Sequence, residues 1–167
     1  FVDTGVTAGL TTPGVATLSA AWQINDRFAL MGDVSRTNWE SLRTIDIDYA
    51  NTQPTTSELY AWEESFFYSI GGEYALSDTF TLRAGLAYDE TPVPDETRTP
   101  RLPDNDRNWY SFGLTWAPSE ALEVSAAYTR VEVDEPTLDI VSTSGSRLVG
   151  DAEGHANLFG VSAQYRF

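Results

Sequence analysis

Apolar and polar positions alternate one for one along seven stretches of this chain. In 159–167 the odd positions Phe159, Val161, Ala163, Tyr165 and Phe167 are apolar or aromatic, and Gly160, Ser162, Gln164 and Arg166 fill the even ones. The same period runs through 16–24 (Ala16, Leu18, Ala20, Trp22, Ile24), 28–39 (Phe28, Leu30, Gly32, Val34) and 66–76 (Phe66, Tyr68, Ile70, Tyr74, Leu76). It returns in 79–89 (Phe80, Leu82, Ala84, Leu86, Tyr88), 108–117 (Tyr110, Phe112, Leu114, Trp116) and 121–133 (Leu122, Val124, Ala126, Tyr128). A period of two predicts β-strands, each with one apolar and one wet face.

The links between these strands alternate in length. Asn25-Asp26, Ser77-Asp78 and Pro118-Ser119-Glu120 are the residues of tight turns. Between them stand long polar segments, about 40–61, 90–106 and 134–153, rich in Asp, Glu, Thr and Pro. Short turns on one side and long loops on the other are the asymmetry of an outer-membrane β-barrel, with the turns in the periplasm and the loops outside. Aromatic residues collect near both strand ends. Trp22, Phe28, Tyr74, Phe80, Trp116 and Phe167 lie toward the short turns, and Trp39, Trp62, Phe66, Tyr88, Tyr110 and Tyr128 toward the long loops. Such belts suit amphipathic rings at two membrane–water interfaces.

The expected fold class is therefore all-β, an antiparallel transmembrane β-barrel. Its rival is a soluble β-sandwich, which also alternates but would show an interdigitated aliphatic core instead of two aromatic belts. Phe159, Val161, Tyr165 and the terminal Phe167 have the form of an outer-membrane insertion signal, of the kind barrel-assembly machinery reads.

Composition narrows this further. The 167 residues suffice for one domain. The absence of cysteine excludes disulfides and thiolate metal sites. No stretch approaches the roughly 20 apolar residues of a membrane-spanning helix. A mean hydropathy of -0.28 suits a barrel, since half of every barrel strand is polar. The net charge is -15, and all ten Lys or Arg residues are Arg, which argues against nucleic acid as a partner. The chain shows no starting Met and no leader with a basic and then an apolar region, so residue 1 is not expected to be a translation start.

Seven strands also carry an expectation about completeness. Single-chain bacterial barrels contain even strand numbers, and lipid does not tolerate two unpaired sheet edges. Strands 16–24 and 158–167 should therefore pair with segments outside these 167 residues, in further sequence or in another polypeptide.

The internal motifs carry a more specific likeness. Arg83-Ala-Gly-Leu-Ala-Tyr-Asp-Glu-Thr-Pro-Val-Pro94, then Arg98, then Leu102-Pro-Asp-Asn-Asp-Arg-Asn-Trp109 resemble the FadL family of long-chain fatty-acid transporters. So do Asn38-Trp39 and the closing Ala156-Asn-Leu-Phe-Gly-Val-Ser-Ala-Gln-Tyr-Arg-Phe167. The resemblance covers essentially the whole chain but only the C-terminal two-fifths of a family member. It implies that residues 1–167 are the C-terminal part of a single barrel domain, about seven of fourteen strands, with an N-terminal hatch elsewhere. It further implies an outer-membrane channel that captures long-chain fatty acids or other hydrophobic molecules outside, holds them in a lumenal pocket and releases them laterally. The rivals are a half-barrel with a structural or assembly role and a general diffusion porin.

Candidate chemistry is sparse. By parity Asp33, Glu73, Arg83, Glu123 and Arg166 point inward and are expected to form a lumenal charge network centred on Arg83, because charges on a lipid face cost a few kcal/mol. In the 90–109 loop, Arg98, Arg101 and Arg107 stand beside apolar Val93 and Leu102, a combination able to hold a carboxylate and its tail. The same arginines could instead pair with Asp95, Glu96, Asp104 and Asp106 to hold the loop folded. Family members carry a basic residue just before the strand that begins near Trp62; this chain has Glu58, Glu63 and Glu64 there, which leaves room for uncharged hydrophobic substrates. Asp104-x-Asp106 and Asp46-x-Asp48 could hold Ca²⁺ bridging to lipopolysaccharide, but lack an EF-hand pattern, so solvated acids are the plainer reading. Ser144 or Ser146 near His155 forms no recognisable nucleophile arrangement, so neither an enzyme nor a cofactor is expected.

Overall fold

The computed structural model describes residues 3–142 and 145–167. Its strands in chain order are β1 (Val6–Ala8), β2 (Val15–Asn25), β3 (Phe28–Thr37), β4 (Thr44–Tyr49), β5 (Thr56–Leu59) and β6 (Ser65–Ala75). These are followed by β7 (Phe80–Asp89), β8 (Arg107–Trp116), β9 (Leu122–Val133), β10 (Thr137–Val141), β11 (Arg147–Asp151) and β12 (Gly154–Tyr165). The seven long strands form one antiparallel sheet in the order β12-β9-β8-β7-β6-β3-β2. β2 and β12 stand at its two edges and do not pair with each other, so the sheet is open.

Each tight turn is closed by its own side chain. The Asn25 Oδ1 accepts the N–H groups of Arg27 and Phe28 at 2.9 and 3.0 Å. The Ser77 Oγ accepts those of Thr79 and Phe80 at 3.3 and 3.1 Å, and the Ser119 Oγ accepts that of Leu122 at 3.2 Å. A short polar side chain bonding its own backbone two or three residues on is why Asn and Ser mark these positions.

Register carries the alternation across the whole sheet. Trp22, Leu30, Gly72, Ala84, Phe112, Tyr128 and Phe159 form one continuous row on the apolar face. That face is bare: Leu18 is 78% exposed, and Phe159 and Val161 are each 80% exposed. Among the described residues, the buried apolar side chains are Leu42, Val93, Val131 and Leu138, at or beyond the long-loop end. No second sheet covers the apolar face, so the sandwich is excluded. In water such a surface would aggregate; against lipid tails it is at home.

Rows also change character along their length. Leu18, Val34, Tyr68, Tyr88, Asn108, Glu132 and His155 lie in one row, apolar at β2, aromatic at β6 and β7, and polar from β8 onward. Hydrogen-bonded rows run square to the strands, and barrel strands lean by about 35–45°, so each row climbs through the bilayer. The two aromatic belts follow the same slant. Tyr68 and Tyr74, Tyr110 and Trp116, and Phe159 and Tyr165 each stand six residues apart, about 20 Å along a strand.

Three expectations change. The segments expected as plain loops at 40–61 and 134–153 contain short strands: β4 pairs with β1 and β5, and β10 pairs with β11 across a turn where Gly145 takes φ 83°. Thr44–Tyr49 and Thr137–Val141 do alternate, but acids supply half of the alternation, so they read as solvated loop. The third strand-end differs as well. Residues 38–39 leave the sheet, and Trp39–Ser41 forms a 3₁₀ turn, while the final strand stops at Tyr165, with the Arg166 N–H still donating to the Ala121 carbonyl at 2.9 Å.

The face assignment gives a direct test. Leu82→Arg, on the bare face between Tyr74 and Leu114, should cost about 2–4 kcal/mol of folding stability in lipid. Thr81→Arg, on the other face, should cost far less in the same refolding titration. Equal losses would mean that the faces are reversed.

Candidate lumenal binding site

The second face of the sheet is wet at its ends and small in its middle. Its rows read Ser19, Asp33, Ser69, Ala87, Trp109, Val131 and Ala156, then Ala21, Met31, Gly71, Gly85, Ser111, Thr129 and Leu158. Gly71 and Gly85 sit opposite each other. A Cβ on Gly71 would lie 3.3 Å from the Ala84 carbonyl, tighter than an ordinary contact, and one on Gly85 3.4 Å from that of Ile70, so a side chain on either strand would begin to fill the space between them. With no side chains there, a hollow of about 270 Å³ opens over the pair, walled by Met31, Asp33, Phe67, Ala87, Trp109 and Ser111. The Trp109 Nε1 is the one buried side-chain nitrogen or oxygen without a partner among the described residues. Below the hollow, Arg83 binds Glu73 at 2.6 Å and Thr115 at 2.5 Å, and Thr115 meets Ser125 at 2.8 Å. This network forms a polar floor.

A second pocket of about 310 Å³ lies above, at the long-loop mouth. Trp39, Trp62, Phe67, Pro92 and Leu102 give it apolar walls, and Asp89, Glu90, Asp104 and Arg107 its charges. Trp39 and Trp62 meet at 4.9 Å between ring centres and 77° between planes, and Tyr60 extends the cluster at 5.7 Å from Trp62. Phe67 is the one residue shared by the two cavities, so its ring divides mouth from hollow.

The loop that roofs the mouth is held by charge. Arg98, 5% exposed, donates to the carbonyls of Asp104 at 2.7 Å and Val93 at 3.2 Å and pairs with Asp95. Arg107 donates to Asp89 at 2.7 Å and pairs with Asp104. Thr91 ties both acids of Asp104-x-Asp106, its Oγ1 donating to Asp104 at 2.6 Å and its N–H to Asp106 at 2.8 Å. Buried Val93 packs under this knot. Just before β6, Glu64 accepts from the Arg36 guanidinium at the upper end of β3 at 2.5 Å, which holds the Glu64 carboxyl below its usual range.

The residues singled out from sequence thus fall into separate groups. Leu102 and Arg107 line the mouth, Arg98 and Val93 fold the roof, and Arg101 is exposed, with no side-chain partner among the described residues. The expected five-membered charge network reduces to Glu73 with Arg83. Asp33 instead accepts from Ser69 at 3.0 Å, and Glu123 and Arg166 join no ion pair among the described residues, although β9 and the end of β12 bring them to neighbouring strands. Asp46 and Asp48 accept from Ser57 and Thr55 at 2.6 and 2.7 Å, and the described residues hold no metal-binding cluster of three or more His, Cys, Asp or Glu side chains. His155 faces outward opposite Glu132; Ser146 sits in the β10–β11 turn, and Ser144 lies outside the described residues. Phe67 and Trp109 were missed as site residues, although parity alone places both on the inner face.

The family model for outer membrane protein transport proteins (OMPP1/FadL/TodX) matches residues 3–167. The chain belongs to this family. It is 28% identical over 170 residues to outer membrane protein P1 of Haemophilus influenzae, covering 95% of this chain and 36% of that protein. It is 28% identical over 174 residues to the long-chain fatty acid transport protein of Escherichia coli O6:H1, covering 96% and 38%. The crystal structure of a Pseudomonas aeruginosa FadL homologue superposes with a TM-score of 0.87 at 34% identity, covering 96% of this chain and 37% of that one. The FadL-family chain therefore spans a little over a third of the length of the relatives it matches, and corresponds to their C-terminal part. Its setting is the bacterial outer membrane, and its sheet is a partial FadL-type barrel.

Because Arg98 is buried on two carbonyls, Arg98→Ala should leave both unpaired and loosen the roof by on the order of 2 kcal/mol. Limited proteolysis of the complete barrel should then cut within 94–103 faster than in the native protein. Arg101→Ala, at an exposed and unpartnered residue, should leave the cutting rate unchanged. Equal sensitivity of both variants would refute the assigned roles.

Proposed function

We propose that this chain forms one wall of an outer-membrane channel that takes up hydrophobic small molecules lacking a carboxylate. The observation that carries the reading is the saturation of Arg107. It is the single cation lining the aromatic mouth, and Asp89 and Asp104 already occupy it. A fatty-acid carboxylate entering there would have to displace a carboxylate from a formed pair. An uncharged hydrocarbon would meet only the Trp39, Trp62, Phe67 and Leu102 walls, then the small-residue hollow. Within the 90–109 loop, Arg101 is the arginine that makes no ion pair among the described residues and could meet a carboxylate at the rim.

Further strands pair with β2 and β12 to complete a fourteen-stranded single domain. Both edges are exposed along their whole length, which supports this. Long-chain fatty acids, lipopolysaccharide at the outer leaflet, a hatch and the assembly machinery remain family expectations for the whole protein. A general porin is disfavoured because Gly, Ala, Ser and Thr, not charges, dominate the inner rows.

Uptake by proteoliposomes containing the complete barrel tests the reading. Ethylbenzene should enter faster than decanoate, Phe67→Trp should slow ethylbenzene severalfold by narrowing the passage between the cavities, and Arg101→Ala should leave ethylbenzene uptake unchanged. Preference for decanoate, abolished by Arg101→Ala, would overturn it.

A further inference from the structure

The mouth pocket combines two features that an uncharged ligand does not exploit. Two indoles, Trp39 and Trp62, line it edge to face at 77° between planes, and an aromatic π-face attracts cations, most of all in sites shielded from water. Its charges do not cancel: three carboxylates, Asp89, Glu90 and Asp104, face one guanidinium, Arg107, leaving a net of two negative charges. Arg107 is shared between Asp89 and Asp104, whereas Glu90 forms no ion pair among the described residues. One Glu90 oxygen accepts the Phe66 N–H at 3.1 Å, which fixes the carboxylate at the pocket wall while its charge stays uncompensated. The net charge of -15 on the chain adds a long-range field of the same sign.

We propose that this pocket selects hydrophobic organic cations, quaternary ammonium compounds with an aryl or short alkyl group, over neutral and anionic molecules of the same shape. The proposal rests on the channel reading above and names its substrate class. A quaternary ammonium has no N–H to satisfy, so it can leave water for an aromatic pocket without orphaning a donor. Trp39 and Trp62 receive its positive head, Glu90 supplies the opposing charge, and Phe67 and Leu102 take the apolar remainder. A volume of about 310 Å³ accommodates a single ring with a trimethylammonium head. A carboxylate of equal size meets the two uncompensated charges and is repelled.

Three ligands that share a benzyl group separate the possibilities: benzyltrimethylammonium, its uncharged isostere neopentylbenzene, and the anion phenylacetate. Binding is measured by equilibrium dialysis against the complete barrel in detergent, with detergent alone as the blank. Benzyltrimethylammonium should bind about tenfold tighter than neopentylbenzene, and phenylacetate weakest. Glu90→Gln keeps an oxygen for the Phe66 N–H; it should remove most of the cation's advantage and leave neopentylbenzene unchanged. Raising the salt concentration should weaken the cation alone. Equal affinity of cation and isostere, or a cation advantage untouched by Glu90→Gln, would overturn the proposal while leaving a hydrophobic channel standing; tightest binding of phenylacetate would overturn both the proposal and the exclusion of carboxylates. Failure of both benzyltrimethylammonium and neopentylbenzene to bind would overturn the channel reading itself.

Discussion

Inside a bilayer no water is present to satisfy an unpaired peptide group, and this constraint governs the rest of the molecule. It forces seven strands into one ladder, and the ladder fixes a side-chain period of two. The period then decides where every charge goes. Glu73 and Arg83 face inward, where each is the other's partner, and Leu82 between Thr81 and Arg83 faces the tails. The same constraint explains why the sheet has no core of its own. Its apolar surface is satisfied by lipid and its polar surface by the lumen, so among the described residues the few buried apolar side chains, Leu42, Val93, Val131 and Leu138, gather at or beyond the long-loop end.

Within that frame, function is written in exceptions to bulk. Gly71 and Gly85 open a hollow where larger residues would fill the sheet, and Phe67 stands as a single obstruction above it. The arginines of the long loop, which look like ligand-binding groups, are mostly consumed by the loop's own carbonyls and acids. Their work is to hold a roof in place so that the aromatic mouth beneath it keeps its shape.

The strands and turns were legible because each rests on a local rule. Alternation fixed the faces of the seven long strands, and Asn25, Ser77 and Ser119 announced turns that their own side chains close. The short strands β4, β5, β10 and β11 were hidden, since Asp46, Asp48 and Asp139 make their alternation look like solvated loop. In the site, the pairing of Glu73 with Arg83 could be expected from parity, but parity also puts Glu123 and Arg166 on that face, where they form no ion pair among the described residues. Which of Arg98, Arg101 and Arg107 is free depends on how a proline-rich loop folds back on itself, and that involves Tyr60 and Glu63 from a distant segment. Sequence spacing contains no trace of such contacts.

The slant of the aromatic belts has a consequence for traffic. Since the strands lean, the barrel axis does not run down any one of them. In the channel proposed above, a molecule following that axis would cross from the β8 side, at Trp109, over Gly85 and Gly71 toward Met31, touching each strand briefly. The route is therefore a relay of short contributions from neighbouring strands. A substitution on any single strand changes one step of that relay and leaves the others as they were, so the selectivity of the passage can be altered level by level without disturbing the wall that contains it.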